Sequence, residues 1–337
     1  MKRMNLLFIL VGSLVQAQHF HHTRANFYGP IGVMGDHLHP KGTWMASYSY
    51  MRMVMDGIRN GTMVITDEEK AHDDVVHEHG YHSVPMNMVM QMHMLGIMWS
   101  PMDRWNLMVM IPYINKEMEM DAHDSTTHHV HHHQMGAQGF SDIQVTALVN
   151  LLSREKWTLH AQFGASFPTG NFHLRDHDEK LQPYPMQLGS GTVDPILSLT
   201  FRYYEERYSI GLQGRGLWRF YSNSQNYQLG DQYAFQGWVS YSPYSWLAGS
   251  IRIFSLYETP LSPAPSDQIM EKMSPLADGR VNSGRFLVGG GLGCNLQPFP
   301  FLNVGLEVET PFYQYVRGIQ MNYTFSWAAG IRYLFSH

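Results

Sequence analysis

The chain has 337 residues, a formal charge of -5 and a single cysteine; 15% of residues are Asp, Glu, Lys or Arg and 13% are aromatic. Mild acidity gives no reason to expect nucleic acid, and a lone Cys294 rules out an internal disulfide. Low charge with many aromatics and 30 glycines is ordinary for a membrane barrel and unusual for a soluble protein.

The first residues have the pattern of a secretory signal. Lys2 and Arg3 precede an apolar run from Met4 to Val15, and Val15-Gln16-Ala17 is a small-residue cleavage site. The expected division is 1–17 signal peptide, 18–42 His-rich leader and 43–337 barrel. No later stretch approaches the ~18 uninterrupted apolar residues of a spanning helix. The leader carries His19, His21, His22, His37, His39 and Met34 among Gly and Pro, which makes it loop-like. It is too short for the plug domain of an energised receptor and is expected in the periplasm.

From Thr43 onward apolar and polar residues alternate with period two, the side-chain repeat of a strand. Strands are expected near 43–57, 86–99, 104–118, 140–152, 157–168, 193–204, 207–220, 231–242, 246–257, 285–297, 302–313 and 319–335. Twelve is an even number, and the connections alternate between short and long. That is the habit of bacterial outer-membrane barrels, with short periplasmic turns and long external loops. The expected fold is therefore all-β, an antiparallel transmembrane β-barrel of about 12 strands, in the outer membrane of a Gram-negative bacterium and in contact with its lipid.

The last strand states the dyad most clearly. Tyr323, Phe325, Trp327, Ala329, Ile331, Tyr333 and Phe335 share the face expected against lipid; Asn322, Thr324, Ser326, Ala328, Gly330 and Arg332 share the lumen face. Elsewhere the lumen set is Asp142, Gln144, Thr146, Asn150, His160, Gln162, Gln213, Arg215, Arg219, Arg252, Glu307 and Glu309. Opposite charges in one narrow lumen are expected to pair, because unpaired buried charge is costly.

Methionine and histidine are segregated. Of 24 methionines, twenty lie at or before Met135; of 20 histidines, nineteen lie before residue 178. Thioether sulfur is a soft ligand and imidazole a borderline one, a pairing that suits copper. In the long connection 58–85 the candidates are His72, His77, His79 and His82. In 119–139 they are His123, His128, His129, His131, His132 and His133. His-rich tracts read as metal binding by composition, without a closed-site spacing here. His37, His39 and His93 complete the imidazole set. On the strands, Met51, Met53 and Met55 share a face with Ser47 and Ser49, and Met108 and Met110 oppose Trp105, Leu107 and Val109. From Met86 to Met94 every second residue is Met, against Asn87, Val89, Gln91 and His93. If that polar set faces the lumen, these methionines face lipid. A one-residue slip reverses the assignment.

Three motifs occur in order: Gly139-Phe-Ser-Asp142, Ser166-Phe-Pro-Thr-Gly170 and Gly189-Ser-Gly-Thr-Val-Asp194. With GDHLH before the first strand and PMDR between the second and third, the chain resembles the Met/His-rich branch of the family named for the MetA pathway of phenol degradation. The resemblance implies an outer-membrane β-barrel transporter. It implies passage of hydrophobic compounds and, for Met/His-rich members, an association with copper handling. This chain departs from a plain member in its expanded His tracts, 72–82 and 123–133.

Two functions follow as expectations. One is a passive conduit or binding protein for copper, or another soft or borderline metal ion. Copper would then be cargo, with no cofactor required and with periplasmic metal carriers or efflux components as candidate partners. The alternative is a channel for small hydrophobic or aromatic solutes. Ser, His and Asp occur, but no nucleophile-elbow motif does, so the chain is not expected to be an enzyme.

Overall fold

The computed structural model describes residues 24–65, 75, 78–123, 130–176, 179–265, 268 and 274–335. Thirteen strands form one antiparallel sheet. They are β1 (Trp44–Gly61), β2 (Met63–Ile65), β3 (Ser83–Met102), β4 (Trp105–His123), β5 (Val130–Phe140), β6 (Ile143–Ser153), β7 (Trp157–Phe167), β8 (Asp194–Tyr204), β9 (Tyr208–Leu217), β10 (Gln232–Tyr244), β11 (Leu247–Glu258), β12 (Arg285–Phe299) and β13 (Leu302–Phe335).

The sheet closes through β1 and β13. A closed antiparallel ring needs an even number of staves, and β13 supplies two of them. Residues 302–316 pair with β12, whereas 316–335 pair with β1. Gly318, at φ +67°, turns the chain between these limbs, and Asn282 Oδ1 accepts from Ile319 N at 2.8 Å beside it. Strands β5 and β6 share one partner. β6 pairs with β4 over 105–110 and β5 over 113–123, so both run along one side of β4, separated by Ser141 and Asp142. The ring therefore has twelve staves, as alternation in the sequence predicts. The β4–β5 arm extends the wall beyond the others, because pairing continues through much of the stretch expected as loop 119–139.

Side-chain faces follow the period. Leu95, Ile97, Trp99, Leu197, Leu199, Ile251, Ile253, Leu306 and Val308 are exposed on the outer surface, an apolar band for lipid. Thr146, His160, Gln162, Gln213, Arg252 and Glu307 are buried inside. The assignments fail at one place, where Thr324, expected in the lumen, is exposed. Tyr323, expected against lipid, is buried and donates to Glu309 Oε1 and Ser326 Oγ. The cause is a bulge: Val54 pairs with Phe325 but Met55 with Tyr323, so Thr324 is skipped and the face switches.

The leader does not hang below the barrel. Residues 24–42 enter the lumen at the short-turn end. They are held to that rim by Ala25 N to Ser245 O (2.8 Å), Lys41 N to Asp103 Oδ1 (3.1 Å) and Gly42 N to Ser100 O (2.8 Å). Ala25, Phe27, Tyr28, Val33 and Leu38 are buried there. An unpaired peptide in a narrow lumen needs polar partners, and the inward side chains provide them.

The β13 turn can be tested. Gly318→Val places a branched side chain at positive φ and against Asn282 and Val281. It should lower stability by about 1–3 kcal/mol, read as a lower urea midpoint of the refolded barrel.

Candidate functional site

The lumen has two chemically different walls. One is methionine. Inward residues of β1, β3 and β4 stand directly opposite one another in register: Met45–Met98–Met108, Met51–Met92, Met53–Met90 and Met55–Met88–Met118, with Met118 opposite Met135 on β5. Residues directly opposite on antiparallel strands bring their Cβ atoms within about 5.5 Å. Methionines of neighbouring strands therefore stand side by side near both ends of this wall. The register resolves the ambiguity left by the sequence: Met51, Met53, Met55, Met108 and Met110 face inward, as does the alternate set on β3. Met45 and Met98, which the sequence did not single out, join them.

His93 goes the other way. It lies on the outer face of β3, 2.8 Å from Tyr48 Oη and edge-on to Tyr50. The polar face of β3 is thus the lipid-side face, with Tyr48, Tyr50 and Tyr113 around the imidazole. His93 is no lumen ligand.

The opposite wall is polar. Gln162 donates to Thr146 (2.9 Å), Gln213 to Thr200 (2.9 Å) and Gln236 to Gln213 (2.7 Å). Guanidiniums alternate with carboxylates: Arg252 with Glu307 at 2.7 Å and with Glu309, Arg219 with Asp194 at 3.1 Å, Arg285 with Glu258 at 2.8 Å. These charges are paired, as the cost of isolated buried charge requires, but between adjacent or next-nearest strands along one wall rather than across the lumen as expected.

The plug is fastened to this polar wall. Glu307 accepts from Gly32 N at 2.8 Å, Gln213 donates to Met34 O at 2.9 Å, and His160 Nε2 lies 2.8 Å from Gly35 O. Its centre is Asp36. That carboxylate accepts from Gly29 N (2.6 Å), His37 Nδ1 (2.7 Å) and Arg202 Nη1 (3.2 Å). Arg202 is fully buried, also donates to Phe27 O at 2.9 Å, and lies over the rings of Tyr204 and Trp238. Burial disfavours charge on Asp36, but His37 beside it, with Arg332 and Arg202, holds the carboxyl well below the usual range.

The plug also presents imidazoles to the methionine wall. His37 meets Asp36 through Nδ1, and its Nε2 faces His39 Nε2 at 3.1 Å. His39 Nε2 is 3.4 Å from Met45 Sδ. Both rings are buried, and Met45 packs in one cluster with Met98 and Met108. Two imidazole nitrogens and a thioether therefore converge at the short-turn end.

The long loops close the other end. Asp142 Oδ1 accepts from Gly170 N at 3.0 Å; its Oδ2 accepts from Ser190 N and Ser190 Oγ at 2.7 and 2.8 Å. Gly170 and Gly189 meet backbone to backbone, where a side chain on either would collide. The three sequence motifs thus pin the connection 168–193 to the rim. Lys116 reinforces it by donating to Pro185 O and Gln187 O at 2.7 and 2.6 Å. Met186, Leu188 and Leu276 then pack onto Met88, Met118, Met120, Met135 and Met321, a lid rich in sulfur.

Between plug and lid lies a cavity of about 450 Å³, lined by Met34, Met45, Met51, Met53, Met92, Met94, Met98, Met108 and Met110 on one side and Gln213, Arg215, Gln236 and Arg252 on the other.

Among the described residues the histidines of the long connections are not gathered into a metal-holding group. His79, His82, His131, His132 and His133 are exposed, and His132 lies 2.7 Å from Asp121. His72, His77, His128 and His129, and the side chain of His123, lie outside the described residues. Among the described residues no group of three or more His, Cys, Asp or Glu is placed to hold a metal ion. Sequence reasoning did not single out Asp36, Lys116 or Arg202. Arg202 was hidden by Tyr203 and Tyr204 beside it, and Asp36 by its loop-like surroundings.

A family model described as "Putative MetA-pathway of phenol degradation" matches residues 98–325. The chain belongs to this family. In fold it is similar to an outer-membrane channel from Pseudomonas putida F1. The TM-score is 0.60 at 12% identity, over 90% of this chain and 100% of that one. It is more distantly similar to the NanC porin, with TM-score 0.42 and 9% identity over 85% and 98% of the two chains. The CymD monoaromatic hydrocarbon channel gives 0.38 and 6% over 89% and 90%. No curated protein matches in sequence. The family member is an outer-membrane β-barrel of Gram-negative type, and the solved structures it is similar to here are channels and porins.

Asp36 gives two linked predictions. Asp36→Ala leaves Arg202 buried without its carboxylate and should cost about 3–5 kcal/mol of plug attachment. Hydrogen exchange across 27–39 should accelerate, and conductance in planar bilayers should rise. Because the folded-state pKa is depressed, the stabilisation is fully present above the unfolded value near 4 and is lost only as pH falls through the folded value. Wild-type protection of the plug should therefore be unchanged from about pH 7 to pH 5.

Proposed function

We propose that this barrel passes small hydrophobic, aromatic solutes across the outer membrane. The observation that carries the reading is the cavity between plug and lid with one wall lined by methionines. Methionine is flexible and polarizable, makes favourable sulfur–aromatic contacts and adapts to solutes of different shape. A wall of this kind holds an apolar ring weakly at many points, which suits transit better than storage. The cavity volume falls within the range of small-molecule sites. Plug and lid would open in turn, keeping the ring out of water and excluding larger polar solutes. The family's description, a phenol-degradation pathway, agrees with an aromatic cargo.

A second reading keeps a soft metal ion, Cu(I), as cargo. It is favoured by one cluster: His37 Nε2, His39 Nε2 and Met45 Sδ, separated by 3.1 and 3.4 Å. Two imidazole nitrogens and a thioether in a row are donor types that Cu(I) accepts, and Asp36 on His37 Nδ1 is the kind of carboxylate that orients a ligating imidazole. This reading moves the metal from the external histidines to the plug, with the methionine wall as the approach.

One pair of variants separates the readings. Replacing Met51, Met92 and Met94 together by Leu keeps the wall apolar and removes three sulfurs. Uptake of a radiolabelled monoaromatic hydrocarbon into proteoliposomes should stay within about twofold of wild type, since Leu and Met are near-isosteric. Met92→Asp should reduce that uptake by about tenfold or more by placing an unpaired charge in the path. Uptake indifferent to Met92→Asp would overturn the solute reading. For the metal, a Cu(I) competition titration should show one site that is lost in the His37→Ala, His39→Ala double variant; no saturable site in wild type would remove it.

A further inference from the structure

Among the described residues two guanidiniums that line the cavity, Arg215 and Arg332, form no ion pair; Arg332 donates to Asn303 Oδ1 at 3.1 Å, lies over the Tyr28 ring and acts electrostatically on Asp36. The other guanidiniums of the polar wall have carboxylates: Arg202 has Asp36, Arg219 has Asp194, Arg252 has Glu307 and Glu309, and Arg285 has Glu258. Arg215 has none. Its sole hydrogen bond runs from Nη2 to the neutral amide oxygen of Gln144, at 3.2 Å, and its Nε is buried with no acceptor. Both features matter. A guanidinium in a low-dielectric lumen is costly unless an anion meets it, and an N–H shielded from both protein acceptor and bulk water costs a hydrogen bond.

Arg215 also faces the right way. It lines the same cavity as Met51, Met92 and Met94. Its strand, β9, is separated from β4 by β8, β7 and β6, but its guanidinium reaches Gln144 on β6, whose partner on β4 is Met110, so the charge lies beside the edge of the methionine wall. One small space thus offers an apolar surface and, bordering it, the Nε–Nη edge of a guanidinium. That edge is the fork that binds a carboxylate through two parallel N–H donors. A neutral aromatic ring satisfies only the first half of this arrangement.

We propose that the solute is amphipathic: a small aromatic carboxylate, its ring on the methionine wall and its carboxylate on Arg215. This rests on the reading of the cavity as a solute path and narrows its cargo. Capture would be reversible, because only one charge is matched and the rest of the contact is thioether. Neutralising the carboxylate at Arg215 also supplies the counter-charge that an anion needs inside a narrow barrel.

The test uses the full-length barrel refolded in detergent and an environment-sensitive aromatic probe bound in its lumen. Benzoate and benzyl alcohol, which share a ring and differ in charge, are titrated as competitors. In wild type benzoate should displace the probe at about tenfold lower concentration than benzyl alcohol, the scale of a charge-assisted hydrogen bond. Arg215→Gln should abolish that preference, while Arg215→Lys retains part of it and benzyl alcohol competes equally in all three. If benzyl alcohol displaces the probe as well as benzoate in wild type, the carboxylate proposal fails and the solute reading stands. If the probe binds and neither displaces it, both fail. The wild-type comparison needs no variant, so misfolding of Arg215→Gln leaves the proposal exposed to refutation; a folded Arg215→Gln that still prefers benzoate overturns it.

Discussion

A sheet that spans lipid must pair every backbone N–H and C=O within itself, and this one does so by closing β1 on β13. Closure forces an even stave count, which is why the 34 residues of β13 fold into two limbs around Gly318. Closure also divides side chains strictly between lipid and lumen. All the polar groups of the inward face must then find partners in one narrow space. The glutamine ladder, the arginine–carboxylate pairs and the plug are consequences of that single requirement.

The plug follows from the same constraint read from the other side. A peptide inside a barrel has backbone donors and acceptors that water cannot reach freely. Glu307, Gln213, His160, Arg202, Asn295 and Asn106 supply what the plug's backbone lacks, and the plug in turn neutralises part of the wall through Asp36. Wall and plug stabilise each other. A segment of two dozen residues, too short to be a domain, thereby closes one mouth of the barrel.

The methionine wall is the part of the lumen that does not take up hydrogen bonds. β1, β3 and β4 have bordering positions in the ring, so three locally alternating sequences become one continuous surface. Its sulfurs meet the lid at Met118 and Met135 and the plug at Met45. On the proposed solute path the polar wall would select the head group that accompanies the ring. Arg215 would carry that selection, because Arg219, Arg252 and Arg285 already have carboxylates.

Period-two alternation, export signals and turn lengths were enough to predict an outer-membrane barrel of twelve staves, since strand geometry is local and repeats along the chain. The inward set of Thr146, Gln162, Gln213, Arg252 and Glu307 was legible for the same reason: one clean strand gives one face. The faces of Met86–Met94 were not, because one face is all methionine and the other mixes polar with apolar residues, so the polar set looked fit for the lumen; only cross-strand register to β1 and β4 selects the inner one. Tyr323 was misassigned because a bulge is a property of two paired strands, not of one. His37 and His39 stood out as types, but their approach to Met45 depends on a leader folding back into the lumen. That fold-back is encoded by partners some 60 to 275 residues away, such as Asn106 for His39 and Glu307 for Gly32. Local periodicity determined the barrel; long-range pairing inside it decided the plug, the thioether wall and the unmatched charge of Arg215.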